Sequence, residues 1–152
     1  MIIRVILFLL INFAALGIGS IYTNAGVTSD WYTGLNKAPW TPPGWVFGAA
    51  WSLIMICFAF YMAYAWKRVR NRQSLIILFV LQWVLNVAWN PVFFKFHLVT
   101  NGLIIISALT ILTGIFLLKY RKELRTAVLF VLPYFLWLLI ATSLNAFILF
   151  NN

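Results

Sequence analysis

The chain of 152 residues is 64% hydrophobic and only 9% charged, with a mean hydropathy of +0.99. A soluble domain has about a quarter of its residues charged, so this composition excludes one and indicates a protein whose surface faces hydrocarbon. The net charge of +9 does not indicate a nucleic-acid partner, because the basic residues lie in short clusters between apolar spans rather than on one polar face. A single cysteine, Cys57, excludes a disulfide framework, and its place inside an apolar span fits a buried thiol.

Five apolar stretches are long enough to cross a bilayer as helices, which takes about 20 residues each. They predict an all-α membrane protein, a five-transmembrane-helix bundle in a single domain. The first stretch follows Arg4 as a signal peptide would, but its apolar part exceeds the usual length of about 7–15 residues, and we interpret it as a retained span. The predicted helices cover residues 2–22, 44–66, 74–94, 99–119 and 127–149.

The basic residues divide unequally between the two ends of this bundle. Nine flank one end and two flank the other. The positive-inside rule then places the N-terminus inside, the C-terminus outside and residues 23–43 in a long outer loop. The nine are Arg4, Lys67, Arg68, Arg70, Arg72, Lys119, Arg121, Lys122 and Arg125, and the two are Lys37 and Lys95.

The stretch from Trp31 to Trp51 carries four of the eight tryptophans and three of the five prolines. Proline fixes its own backbone and restricts the residue before it, so the part before Gly44 is predicted to be a stiff, non-helical connector. Aromatic rings with one polar end collect at the lipid–water boundary, and an interfacial belt is one interpretation. The other is a lid of flat side chains over a pocket between helices.

Three predicted helices carry faces on which polar or aromatic side chains recur every three or four residues. Such groups at membrane depth usually face the bundle interior and often mark a site. At about 1.5 Å of rise per residue, the faces meet in the outer half of the bilayer, beneath the loop. The alternative is that the amides only hydrogen-bond between helices. The faces are Trp51, Met55 and Phe58; Gln82, Asn86, Trp89, Asn90 and Phe93; and Tyr134, Trp137, Ala141 and Asn145.

Two further patterns bear on packing and chemistry. Small residues four apart, Ala15 with Gly19 and Gly44 with Gly48, predict close helix packing, either within the monomer or at a dimer contact. The chain has one histidine and two acids, and neither acid lies within a span. We therefore find no catalytic constellation and no metal site. His97 is interpreted as an interfacial polar residue rather than a haem or proton-relay ligand.

Three blocks of residues resemble the translocator protein family, also known as TspO, tryptophan-rich sensory proteins or peripheral-type benzodiazepine receptors. They are WTPP at residues 40–43 with Trp51 downstream, the block from Gln82 to Phe94, and PYFLW at residues 133–137 followed by Leu144-Asn145. The resemblance implies a five-helix membrane bundle, commonly a homodimer, that binds porphyrins such as protoporphyrin IX and other flat lipophilic molecules. The tyrosine of the animal members' sterol-recognition motif is replaced here by Ala146, which leaves sterol binding by that route without support.

The resemblance also implies roles for individual residues, with the porphyrin as a ligand and no cofactor. Light-dependent porphyrin degradation, proposed for some bacterial members, would use Trp51, Trp137 and Tyr32 as redox-active side chains. The alternative function is transport of tetrapyrroles, sterols or other lipophiles, and the expected location is the plasma membrane of a bacterium. With the faces described above, the candidate ligand-binding residues are Trp31, Tyr32, Trp40, Trp51, Met55, Asn86, Trp89, Phe93, Trp137, Ala141 and Leu144.

Overall fold

The computed structural model describes all 152 residues, and its elements are all helical. The five segments long and apolar enough to cross a membrane confirm the predicted fold class. Short helices α2 (Asp30–Gly34) and α6 (Arg121–Leu124) lie between the long ones, a π-helical turn (Pro91–Lys95) continues α4, and a 3-10 segment (Arg125–Val131) leads into α7. The long helices are α1 (Ile2–Val27), α3 (Gly44–Arg68), α4 (Arg72–Asn90), α5 (Val99–Lys119) and α7 (Leu132–Asn151).

The largest differences from the predicted boundaries of the long helices are at the end of α1 and the start of α7. Helix α1 continues to Val27 rather than ending at residue 22, because nothing from Tyr22 to Val27 breaks a helix. The predicted outer loop 23–43 therefore begins as helix and also holds α2, whose first turn is capped by Ser29 accepting from the Tyr32 N–H. Helix α7 begins at Leu132 rather than 127, since Pro133 lacks an N–H and fits only the first turn of a helix.

The five long helices pack as a closed ring in the order α1, α3, α7, α5, α4. Helix α1 approaches the α4 side especially closely through two glycines. A Cβ added at Gly19 would overlap the Asn90 side chain, and one at Gly26 would overlap Phe94. The small-residue pattern on α1 therefore does mark a packing surface, as close helix approach in lipid requires.

The outer surface of the ring is apolar, as expected of a surface that faces the hydrocarbon of a bilayer. Ile2, Ile3, Leu10 and Ile111 are each between 66% and 82% exposed. We call the end of the bundle with Lys67–Arg72 and Lys119–Arg125 the basic end, and the opposite end, where residues 28–43 form the lid, the lid end.

Aromatic side chains fill the ring interior toward the basic end. Phe58, Tyr61, Phe116 and Tyr134 are each 0% exposed, and we call them the aromatic plug. The Phe58 ring centroid lies 5.4 to 5.7 Å from the centroids of the other three rings. The Tyr61 hydroxyl donates to the Phe116 carbonyl at 2.8 Å, which satisfies its polar end inside the core. The aromatic plug therefore fills the centre of the ring toward the basic end.

Candidate ligand-binding site

A cavity of about 660 Å³ lies at the lid end, between α1, α3, α4 and α7 and below the lid. This volume falls in the range of about 300–1,000 Å³ that small-molecule sites occupy. Three indoles, those of Trp51, Trp89 and Trp137, line the cavity together with Phe47 and Phe93. The Trp51 ring also meets Tyr134 edge-on at 6.0 Å between centroids, so the aromatic plug forms the base below the cavity.

Eight of the eleven candidate ligand-binding residues line this cavity, drawn from the lid and from three helices. Their convergence follows from the ring order, which sets α3 beside α7, and from side chains of α4 that reach α7 across the interior through the Gln82–Tyr134 and Trp89–Asn145 hydrogen bonds. Ala141, with its small side chain, leaves room between the larger rings. The eight are Tyr32, Trp51, Asn86, Trp89, Phe93, Trp137, Ala141 and Leu144.

The other three candidates are not among the residues that line the cavity, and their contact with a ligand stays a prediction. Trp31 stacks on His97, with ring centroids 4.0 Å apart and planes at 15°. Trp40 turns its indole N–H to Ser143 Oγ at 3.1 Å and remains 54% exposed. Met55 lies one turn deeper than Trp51, is 1% exposed, and its carbonyl accepts from Asn12 Nδ2 at 3.2 Å.

Most of the amides near the cavity are engaged by the protein itself. Asn90 Oδ1 accepts from the Thr23 hydroxyl at 2.7 Å, and Asn145 accepts from Trp89 Nε1 at 3.2 Å while donating to the Val99 carbonyl at 3.1 Å. Gln82 Nε2 donates to the Tyr134 hydroxyl at 2.8 Å. These contacts join helices, which is the structural role that the sequence left open for them.

Asn86 and Trp137 line the cavity with polar groups that have no partner in the protein, whereas Gln82 Oε1 is also unpartnered but does not line the cavity. Asn86 and Trp137 are each 7% exposed. The Asn86 side chain has no hydrogen-bond partner in the protein, since only its backbone carbonyl is engaged, by Asn90 Nδ2. The indole N–H of Trp137 is buried without an acceptor. A buried polar group without a partner costs about 1–3 kcal/mol, so polar atoms of a ligand are the natural complement to both.

The lid is fastened over the cavity at three points. The Trp31–His97 stack joins it to the turn after α4, and Trp40 joins it to α7. The third is a pair of hydrogen bonds in which the Asn36 N–H donates to Asn152 Oδ1 at 2.8 Å and Asn152 Nδ2 donates back to the Asn36 carbonyl at 3.1 Å. His97 has φ 55°, a left-handed conformation that histidine tolerates better than most residues.

Tyr32 and Lys37 bring polar groups from the lid to the cavity. Lys37 Nζ lies 4.7 Å from the centroid of the Tyr32 ring, a cation–π contact. Burial raises the pKa of the Tyr32 hydroxyl, which therefore stays protonated and able to donate at neutral pH. Sequence reasoning missed Lys37 as a site residue, although it is one of only two basic residues at this end of the bundle.

The cavity opens sideways between α1 and α3. Four exposed residues at its edge form this portal, namely Asn24, Val27, Gly44 and Gly48. A Cβ added at Gly44 or Gly48 would meet nothing within 4 Å. The packing of the Gly44/Gly48 pair that was predicted within the monomer is wrong, and its alternative, a contact with a second copy of the chain, stays a prediction. The two glycines instead leave a gap toward the surrounding lipid.

Comparison with known proteins matches residues 6–150 of this chain to the TspO/MBR family. The chain belongs to the TspO/MBR family. The tryptophan-rich protein TspO of Archaeoglobus fulgidus is 33% identical over 135 residues, which is 86% of either chain. The tryptophan-rich sensory protein of Cereibacter sphaeroides is 31% identical over 120 residues, covering 76% of this chain and 73% of its own. The translocator protein of Homo sapiens is 27% identical over 119 residues, covering 76% and 70%.

Membership in the TspO/MBR family confirms the resemblance carried by the WTPP and PYFLW blocks. The matched region includes all five long helices and the lid, so the family's sequence features and the cavity occupy the same part of the chain. With its five apolar spans, this TspO/MBR member is an integral membrane protein in contact with the lipid bilayer.

Proposed function

We propose that this TspO/MBR protein is a membrane receptor that binds porphyrin-like tetrapyrroles and other flat lipophilic molecules in the lid-end cavity. The observation that carries the proposal is the convergence of Trp51, Trp89 and Trp137 on one cavity of about 660 Å³. Flat indole faces are suited to stack on an extended π-system. The unpartnered side chains of Asn86 and Trp137 offer hydrogen bonds to polar atoms within the ring.

The lid supplies polar groups that can bind the negatively charged carboxylates of a ligand. Protoporphyrin is a dicarboxylate, and Lys37 is the one basic residue that lines the cavity. Its ammonium group lies at the lid, beside the protonated hydroxyl of Tyr32, both of which can donate to a carboxylate. A porphyrin with its carboxylates toward the lid and its apolar edge toward Tyr134 would match this polarity.

The aromatic plug below the cavity favours ligand binding over transport across the membrane. The portal between α1 and α3 supports exchange of lipophilic molecules with the bilayer. The aromatic plug, however, has no exposed member and fills the bundle interior toward the basic end. Transport across the membrane would require the plug to open, so we hold transport as the second function rather than the first.

Light-dependent degradation of a bound porphyrin is a further activity that the indoles support. Trp51 and Trp137 line the cavity, and Tyr32 approaches it from the lid. An electron passed from one indole to the photoexcited ring would leave a tryptophan radical cation and a porphyrin radical anion. The test is loss of the porphyrin's Soret absorption under illumination, compared between the wild type and Trp51→Phe/Trp137→Phe at equal occupancy. Equal rates would leave binding as the only function.

We further propose that the protein resides in a bacterial plasma membrane with its basic end toward the cytoplasm. Nine basic residues at one end against two at the other support this orientation. The homodimer that the resemblance implies stays a prediction.

Titration of the purified protein with protoporphyrin IX, followed by absorbance, tests the receptor function. We expect a saturable spectral shift in the wild type and at least about tenfold weaker binding in Trp51→Phe/Trp137→Phe, because two stacking faces shrink and one indole donor is lost. Trp45→Phe is the matched control, since Trp45 is 76% exposed and does not line the cavity. A wild type without saturation, or a double variant that binds as the wild type does, contradicts the proposal.

A further inference from the structure

A second cavity, of about 630 Å³, lies on the side of the bundle near the basic end, between α3 and the 3-10 segment Arg125–Val131. It shares no residue with the lid-end cavity. Part of its wall faces outward, since Leu129 is 58% exposed and Phe130 is 38% exposed. We call this feature the lateral groove.

The lateral groove changes from polar to apolar along its length. Arg68, Tyr64 and Thr126 lie at the end near the membrane boundary, and Cys57, Leu129 and Pro133 line the remainder. Arg68 is the last residue of α3, and Cys57 precedes it by eleven positions in the same helix. At about 1.5 Å of rise per residue this is a span of roughly 16 Å. One leaflet of a hydrocarbon core about 30 Å thick has nearly that depth.

Positive charge surrounds the polar end of the groove. Eight basic residues lie between Lys67 and Arg125 at the basic end, and Glu123 is the only acid among them, so most of these cations have no carboxylate to pair with. The Arg68 guanidinium carbon lies 5.8 Å from the centroid of the Tyr64 ring, which fixes the cation at the mouth of the groove. A planar guanidinium can bind two phosphate oxygens at once.

We propose that the lateral groove binds an anionic phospholipid of the leaflet at the basic end, with the phosphate on Arg68 and one acyl chain along Leu129 and Pro133. The length of one leaflet, the apolar lower wall and the cationic mouth each match that occupant. Basic pockets between transmembrane helices are known to hold acidic lipid head groups. The site is independent of the receptor function, because the aromatic plug separates the groove from the lid-end cavity.

The single cysteine provides the assay. Cys57 lines the groove and is partly exposed, so its alkylation by N-ethylmaleimide reports whether the groove is filled. In detergent, added phosphatidylglycerol should slow alkylation saturably, whereas phosphatidylcholine should slow it much less. Inorganic phosphate alone should give no protection, because it lacks the chain that covers the thiol. Native mass spectrometry of the same samples counts retained phosphatidylglycerol and decides the outcome if the thiol reacts slowly.

Arg68→Gln should weaken phosphatidylglycerol protection and retention about fivefold, the usual contribution of one arginine near an anionic surface. Arg70→Gln is the matched control, since it removes the same charge from the same end without touching the groove. Equal protection by the two lipids, or equal losses in the two variants, would overturn the proposal. So would protection that depends on protein concentration and not on lipid, because a second copy of the chain would then be the occupant.

Discussion

Most of the buried amides of this bundle, such as Asn145, join two helices by hydrogen bonds. The amide of Asn86 does not. Asn145 is 2% exposed and bonds to Trp89 and to the Val99 carbonyl, whereas Asn86 is 7% exposed and its side chain bonds to nothing in the protein. Removing Asn145 leaves two partners unsatisfied, while removing Asn86 leaves none. A substitution at Asn145 should therefore lower the stability of the protein, and a substitution at Asn86 should weaken ligand binding.

Asn86→Leu should weaken porphyrin binding by about 2- to 10-fold, the value of one hydrogen bond, without lowering the melting temperature of the ligand-free protein. Asn145→Leu should lower that melting temperature, by an amount that corresponds to roughly 1 kcal/mol or more. Thermal unfolding in detergent and absorbance titration measure the two effects. If Asn86→Leu melts as early as Asn145→Leu, then Asn86 is a structural residue and the division fails.

Residue types and spacing predicted that Gln82, Asn86 and Asn90 share a face, but they could not predict which amide stays free. That outcome depends on tertiary partners, Tyr134 for Gln82 and Thr23 for Asn90, which lie on other helices. The same limit explains why Trp40 and Trp31 do not line the cavity. The N–H of Trp40 bonds Ser143 and the ring of Trp31 stacks on His97, and both partners are more than 60 residues away in the chain.

The portal is a property of two elements, α1 and α3, and of the glycines at the start of α3. Gly48→Leu should place a side chain in the gap and slow porphyrin association on the order of tenfold, since entry would need the helices to move. Leucine is also a better helix former than glycine, so the variant should fold. Stopped-flow absorbance gives the rate.

Gly17→Leu provides the control for that experiment. Gly17 lies in α1, has open space around it and does not line the cavity. An equal slowing in both variants would mean that added bulk acts through the bilayer or the detergent, and the portal would not be the entry route.

Hydropathy located four of the five long helices to within a few residues and gave α5 with the observed boundaries. The largest errors arose where local chemistry and hydropathy disagree. The polar end of α1 stays helical because no proline interrupts it, and the start of α7 is set by Pro133 after a 3-10 segment whose last five residues are all apolar. Apolar length alone therefore marks where a chain can cross lipid, not where its helices begin.

At the scale of the whole molecule, the lid and the ring act together, because the lid is fastened to both sides of the cavity. Trp31→Ala removes the stack on His97 and should raise amide hydrogen exchange in residues 28–43 roughly tenfold, with faster porphyrin release. Trp45→Ala removes an indole of the same size that lies 76% exposed and should change neither quantity. Exchange that stays slow in Trp31→Ala would show that the Asn36–Asn152 pair and Trp40 suffice to hold the lid.

The order of the helices around the ring could not be predicted from the sequence. Positive charge and hydropathy fix which ends lie together, but α1, α3, α7, α5 and α4 could be arranged in several rings with the same ends. The observed order depends on close contacts such as Gly19 with Asn90 and Gly26 with Phe94. Those contacts place α1 beside α4 at the lid end, where the exposed residues Asn24 and Val27 of α1 and Gly44 and Gly48 of α3 edge the cavity.

The π turn after α4 gives this region an unusual tolerance for changes in chain length. The Phe96 N–H donates to the Pro91 carbonyl at 3.0 Å, five residues back, where an α-helix would bond four back. Deleting one residue between 91 and 95 would therefore restore an ordinary helix and leave the span intact. Residues beyond the deletion would rotate by about 100°, however, and the Trp89–Phe93 stack, now at 5.3 Å between centroids, would be lost. An aligned relative with a one-residue gap here should keep the fold and have a differently shaped pocket wall.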